Sequence, residues 1–386
     1  MPPTLPRDTA PTVTPSLSPS VSPSAPQGTV DDDLAAALGP EMAALWRRQR
    51  GPQLPTVRVV RAAGIPVAAT LSTRRPATLA TKIAHVWRFD DGADSDAALA
   101  ALIGDIVADS QSRGDVAVKW QSTDDVTDPA HFGFTPLRTP YPSAPGTEGV
   151  AGHIRWLRSI PHNEPPYYAQ TSTFTCAAVT ALLASEIRGS TGFGDDEGNR
   201  DRELDFWRRA SNYPTCEPIG LAVALRDSLN DAAGSSPVEV FLDVDGPVLL
   251  EAYSERFDRS FREELQANSL RRALDSDITV RRERVSIETI HTRLRAGELA
   301  LLLIDLQPMF GFAVPHWVLA HAAGDGVVLI TDPWISVTWG ESWVDAHEVP
   351  VAIADLDRML AWGTDGYRGV VFLTGRNRRP ETLHST

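Results

Sequence analysis

Hydrophobic and polar positions along this chain change their period several times, and each change marks an element. The runs VRVVRA and IPVAATLS from Val57 predict two strands around Gly64, and TKIAHVWRFD predicts a third. Asp94–Ser112 (DSDAALAALIGDIVADSQS) switches to helical spacing and predicts an amphipathic helix closed by Arg113-Gly114. DVAVKWQ reads as the next strand, and Asp128–Phe134 as a short helix and turn. Upstream, Asp31–Arg50 starts acidic, ends basic and has a weak apolar face, which predicts one or two short helices broken at Gly39-Pro40. Residues 1–30 are mostly Pro, Ser and Thr with almost nothing to bury, the composition of a disordered tail.

After Thr139–Gly152, a linker by its Pro, Gly and Ser content, a second unit begins near His153. Within Tyr167–Arg188, Phe174, Val179, Leu182, Leu183 and Ile187 recur at helical spacing, which predicts a mostly buried helix that has Ser172 or Thr173 as its N-cap, Cys176 in its first turn and Gly189 at its end. Helices follow near Arg200–Ala210, Ile219–Leu229 and Leu249–Leu274, the last with a Tyr253, Phe257, Phe261, Leu265 stripe expected to face the core. Val238–Val244 and Ile278–Val285 read as strands, and Ser286–Ala296 as a capped helix. Leu299–Leu306 (LALLLIDL) is apolar throughout, the pattern of a central strand covered on both faces. Pro315–Ala322 and Val327–Asp332 form a hairpin around Ala323–Gly326. An aromatic loop, a helix at Val351–Trp362 and a strand at Gly369–Thr374 complete the unit. The expected organisation is a tail (1–30), a smaller α+β accessory module (31–142) and a larger α+β domain (153–376).

Composition narrows the class. The 386 residues are 42% hydrophobic and carry a net charge of −14, which suits a globular protein and argues against nucleic acid as a partner. No apolar run is long enough to cross a bilayer, and no basic-then-apolar start reads as a secretory signal, so the expectation is a cytoplasmic protein without a membrane role. Only Lys82 and Lys119 among the 36 basic residues are lysine, a coding bias with little bearing on function. The two cysteines, Cys176 and Cys216, are expected as free thiols, and no Cys/His spacing reads as a zinc site. No cofactor is expected.

The candidate chemistry centres on Cys176. It falls in the first turn of its helix, where unpaired backbone N–H groups and the helix dipole favour a thiolate. Gln170 can aim its amide at the same point and, with the Cys176 N–H, form an oxyanion hole. Taken alone, a cysteine in an apolar helix is ordinarily a small core residue. Pairing 322 with 327 across the hairpin places His316 opposite Pro333 and beside Asp332. A carboxylate beside an imidazole fixes its tautomer, and an imidazolium beside a thiol completes a charge-separated nucleophile. His321 alternates to the opposite face and reads as structural, as does the thiol of Cys216; Asp305 reads as a buried, hydrogen-bonded carboxylate within its strand. Trp317, Trp334, Trp339 and Trp343 cluster near the site, and one or two of them could wall a groove.

Gln170-x₅-Cys176, an Ala-rich helix and then PHWVLAHAAGDGVVLITDP together resemble the papain-like C39 peptidases, nearest to the bacterial stand-alone C39-like domains often joined to GNAT modules. The resemblance spans about Pro165–Leu373 and implies a papain-like cysteine peptidase fold. It places Gln170, Cys176, His316 and Asp332 on the family's catalytic positions. The first unit vaguely resembles half of a GNAT acetyltransferase but lacks that family's glycine-rich pyrophosphate loop, so it reads as a non-catalytic module. Membrane and ATP-binding cassette segments are absent, which leaves a role as the leader-cleaving part of an exporter unsupported. The expected activity is a cysteine hydrolase acting on a peptide or amide. The alternatives are an acyl or aminoacyl transferase using the same thioester, or a papain-fold binding module without turnover. Substrate identity and oligomeric state stay open.

Overall fold

The computed structural model describes residues 20–21, 30–89, 92–123, 127–190, 192–194, 197–210, 215–229 and 237–375. Most of the expected tail lies outside these residues. Its Ser20–Val21 segment is instead a strand, β1, paired antiparallel with the segment that follows in the sheet.

The first sheet joins β1 to β2 (Thr56–Ala62), β3 (Ile65–Thr73), β4 (Ala80–Arg88), β5 (Ala117–Ser122), β6 (Thr135–Pro136) and β7 (Ala151–Trp156) in the order β1-β2-β3-β4-β5-β7-β6. All neighbours are antiparallel except β4 and β5, which run parallel because α3 (Ala93–Arg113) crosses between them. Helix α3 covers one face through Leu99, Ile103 and Ile106 on Ile83, Val118 and Trp120. Helices α1 (Asp32–Leu38) and α2 (Pro40–Arg47) cover the other through Leu34, Leu38 and Trp46 on Val57, Leu71 and Ala84. His153, from which the second unit is expected to start, lies within β7 and pairs with Trp120 of β5.

The second sheet has the order β13-β12-β11-β10-β14-β8-β9, built from β8 (Val238–Leu242), β9 (Thr279–Arg281), β10 (Leu299–Asp305), β11 (Pro315–Gly324), β12 (Val327–Thr331), β13 (Val349–Ala352) and β14 (Gly369–Leu373). The unbroken apolar run of β10 is explained by two cores. Leu299, Leu301 and Leu303 face α4 (Cys176–Ile187) and α6 (Pro218–Ser228), while Ala300, Leu302 and Ile304 face α8 (Ile287–Arg295) and α11 (Ile353–Met359). Helix α5 (Asn199–Ala210) packs outside α4. Two four-residue helices, α9 (Gln307–Phe310) and α10 (Trp343–Ala346), flank the end of the sheet where β11 starts. Among the described residues no helix is long and apolar enough to cross a membrane.

Three expectations are corrected here. Helix α7 (Arg256–Leu274) begins later than Leu249, because Leu249 adopts φ 58°, outside the helical region. Its aromatic stripe is not core: Phe257 is 77% and Phe261 39% exposed, while Arg262 is buried beneath the Tyr253 ring. Steps of four residues advance about 40° each around a helix, so a stripe built only from such steps winds off the buried face. Asp305, the last residue of β10, is hydrogen-bonded as expected, accepting from the Gln307 N–H (3.0 Å), but it is only half-buried, because it lies at the end of the strand.

Candidate active site

Cys176 is the first residue of α4, and Thr175 precedes it as the N-cap with no side-chain cap bond. The expected caps are displaced, since the Ser172 carbonyl accepts from Thr175 N (3.4 Å), Thr175 Oγ1 (2.9 Å) and Gln170 Nε2 (2.8 Å). A first-turn N–H has no carbonyl one turn back within its own helix, so the Cys176 N–H points out of the helix start. Cys176 is 9% exposed and His316 4%, so the pair lies just under the surface. Both cysteines are free thiols.

The turn before Cys176 is held by a residue that the sequence pattern hides. Glu203 of α5 is fully buried, and its carboxylate accepts from Tyr168 Oη (3.0 Å), Thr171 N (2.9 Å) and Thr171 Oγ1 (2.7 Å), with Thr175 Oγ1 also against it. The signal was present as an acid on an apolar face: Asn199, Glu203, Phe206 and Ala210 share the buried side of α5. Glu203→Ala leaves these donors unpaired in the core and is expected to destabilise the protein by about 3 kcal/mol or more. A urea midpoint unchanged in that variant would contradict this role for the carboxylate.

The hairpin brings His316 to Asp332 by a different count from the expected one. Gly324 pairs directly with Val327, so the turn is two residues, Asp325 (φ 40°) and Gly326 (φ 76°), in the positive-φ geometry that such turns favour. A bulge at His321 then takes one position back, and the ladder ends at Leu319 opposite Thr331. The net displacement is small enough that His316 Nε2 meets Asp332 Oδ1 at 2.8 Å. Cys176 acts on the same imidazole, and with Nε2 committed to Asp332 the ring nitrogen still open to a second partner is Nδ1.

Burial opposes a charge on His316, but the Asp332 carboxylate and Cys176 overcome it and push the imidazole up to about 10. Burial likewise acts to raise the Asp332 carboxyl, and His316 and Arg75 outweigh it, holding Asp332 below its ordinary range. The carboxylate is fully used: Oδ1 also accepts from Trp334 N (2.9 Å), and Oδ2 accepts from Arg75 Nη1 (2.7 Å). Arg75 belongs to the β3–β4 connection in the first sheet, and its remaining donors grip Glu341 at 3.1 and 3.0 Å. Neither Arg75 nor Glu341 stands out in the sequence.

Gln170 is anchored by its backbone N–H on Pro333 O (2.8 Å), which ties the loop before Cys176 to the segment after Asp332. Its amide spends one N–H on Ser172 O, leaving one for an incoming ligand. His321 lies away from the couple, buried beside Glu348 and His162, and burial lowers it to about 4. Cys216 is buried and contributes its carbonyl to Trp317 Nε1 (3.0 Å). Trp317 and Trp343 are wholly buried core residues, whereas Trp334 and Trp339 are partly open and pack with Phe310 and Phe312 beside His316. A cavity of about 1080 Å³ lies elsewhere, around Arg295, His321 and Asp325 at the turn end of the hairpin. Among the described residues no His, Cys, Asp and Glu cluster could hold a metal ion.

Residues 165–374, more than half of the chain, match the family model described as Peptidase_C39 like. The chain belongs to this Peptidase_C39-like family. The match starts after β7 and takes in α4, the hairpin and every strand of the second sheet. A comparison with curated proteins finds no match. Among solved structures, a chain from Bacillus anthracis named for its likeness to C39 peptidases is 10% identical, covering 56% of this chain and 100% of its own, with a TM-score of 0.30. An aminoglycoside 6'-acetyltransferase type Ii is 12% identical over 34% of this chain and 91% of its own, with a TM-score of 0.28. TM-scores this low carry no argument about activity.

Proposed function

We propose that this member of the Peptidase_C39-like family is a cysteine hydrolase acting on a peptide or amide bond, with Cys176 as nucleophile. The observation that carries the proposal is one buried imidazole, His316, hydrogen-bonded to the buried carboxylate of Asp332 and raised by both Asp332 and Cys176, whose thiol starts helix α4. In this reading the His316 proton comes from Cys176, leaving a thiolate beside an imidazolium. The thiolate sulfur attacks the carbonyl carbon, and the C=O electron pair moves onto oxygen. The Cys176 N–H and the free N–H of Gln170 receive the oxyanion. The intermediate collapses as the C–N bond breaks and His316 delivers its proton to the departing amine. Neutral His316 then takes a proton from water, whose oxygen attacks the thioester; the acid leaves and the thiolate–imidazolium couple is restored. Asp332 holds the ring throughout and stabilises its charge whenever it is protonated.

An activated ester tests this directly. The expected result is a burst of leaving group equal to the enzyme present, and an acyl adduct on the peptide containing Cys176. Faster breakdown of the adduct in added amine, with amide as product, moves the assignment to acyl transfer. Absence of both burst and adduct, with Cys176 no more reactive than an ordinary thiol, leaves a binding module and sinks the proposal.

A further inference from the structure

We propose that Arg75, carried by the first unit, is a positioning residue for the Cys176–His316–Asp332 site, so that the reactive centre is assembled by both units of the chain. This rests on the cysteine-hydrolase reading above. Asp332 has two carboxylate oxygens, and only Oδ1 serves His316. The rotation that keeps Oδ1 there is set by the Trp334 N–H on that oxygen and by Arg75 on the other. Arg75 is itself fixed. Two of its nitrogens hold Glu341, the Phe310 ring lies 4.8 Å from its guanidinium carbon, and its side chain is 3% exposed. Glu341 is braced in turn by Ser336 N (2.9 Å) and Gln53 of the first unit.

The wider contact has the same sense. The segment from Asp332 to Asp345 carries Asp332, Glu341 and Asp345, and each meets a cation from the first sheet or its loops: Arg75 for the first two, Lys82 for the third. Lys119 of β5 donates to the carbonyls of Val344 (3.0 Å) and His347. The first unit therefore clamps the stretch that begins with Asp332, and among the described residues of that unit only Arg75 touches the Asp332 carboxylate. Without Arg75, Asp332 and Glu341 would share a buried site with no cation between them. Burial already pushes the Glu341 carboxyl up with Arg75 in place. Two such acids relieve their repulsion by taking up a proton, and a protonated or rotated Asp332 no longer holds an imidazolium. A purely structural ion pair would change stability but leave the pH dependence of the thiol untouched.

The test uses the full chain and iodoacetamide, following Cys176 alkylation by mass spectrometry from pH 4 to 9, with buried Cys216 as internal reference and melting curves to confirm folding. The wild type is expected to alkylate at Cys176 well below neutral pH. In Arg75→Met the acid limb moves toward neutral by about one pH unit or more, a loss of about tenfold in rate at pH 5. Arg75→Lys, which keeps the charge without the fork, falls between. Arg75→Met combined with Glu341→Leu removes the acid that the single variant strands, so it tests the same point should the single variant not fold; only the hold on Asp332 Oδ2 is then lost, and a smaller displacement in the same direction is expected. A wild-type limb in either Met variant overturns the role of Arg75. A wild type in which Cys176 is no more reactive than Cys216 at pH 5 instead overturns the hydrolase reading, and the role of Arg75 with it.

Discussion

Cys176→Ala is expected to abolish turnover, lowering kcat by about 10⁴-fold or more, while the protein keeps its melting temperature within a few degrees. The side chain lost is small and 9% exposed, at a helix start whose shape is set by Glu203, Thr175 and Ser172 and not by the sulfur. Alkylation at position 176 disappears by definition, so the informative readouts are the burst with an activated ester and the residual steady-state rate. A Cys176→Ala protein that still gave a stoichiometric burst would place the nucleophile elsewhere. Cys216→Ala is the paired control, with no loss expected, because Cys216 lies wholly buried and its carbonyl, not its thiol, makes the contact with Trp317.

Asp332→Asn is expected to cost about 10³–10⁴-fold in kcat, because an amide supports a neutral ring in a fixed tautomer but not the imidazolium. It also changes stability in a pH-dependent way whose sign follows from His316. That ring is raised from an ordinary 6.5 to about 10 in the folded protein. A raised histidine contributes stability that is fully present below about 6.5 and is lost as pH climbs through the folded value. At the other end, Asp332 is held below its ordinary 3.8, so its share is present above that value and fades as the solution becomes more acidic. The difference between wild type and Asp332→Asn should therefore be largest between pH 4 and 6.5, of the order of 3 kcal/mol, and should shrink toward pH 10. Urea denaturation at several pH values measures it. A difference that stays constant from pH 5 to 10 would contradict a charged His316–Asp332 pair.

The elements that carry the site were legible from short-range pattern. The helix behind Cys176 showed itself through apolar spacing, and β10 through a run with no polar interruption until its last residue. The hairpin was also visible, but its register was legible only approximately. A two-residue turn and a bulge at His321 shift the pairing in opposite directions, and neither leaves a periodic trace. His316 and Asp332 still meet because side chains at the open end of a ladder can reach across a one-residue displacement. The aromatic stripe of α7 misled for the opposite reason: its spacing was regular, but regularity does not say which face of a helix the rest of the protein covers.

By itself the sequence determined which residues could do the chemistry and which local elements would present them, because helix starts and hairpin ends follow from contacts within a few residues. Only the tertiary structure decided what surrounds them. Glu203 beneath the turn before Cys176, and Arg75 lying 257 positions from the carboxylate it grips, are joined to the candidate site by packing between elements distant in the chain. Such contacts bury a charge against hydrogen-bond donors or an opposite charge, which depends on where whole sheets and helices come to rest and leaves no local rhythm in the order of residues.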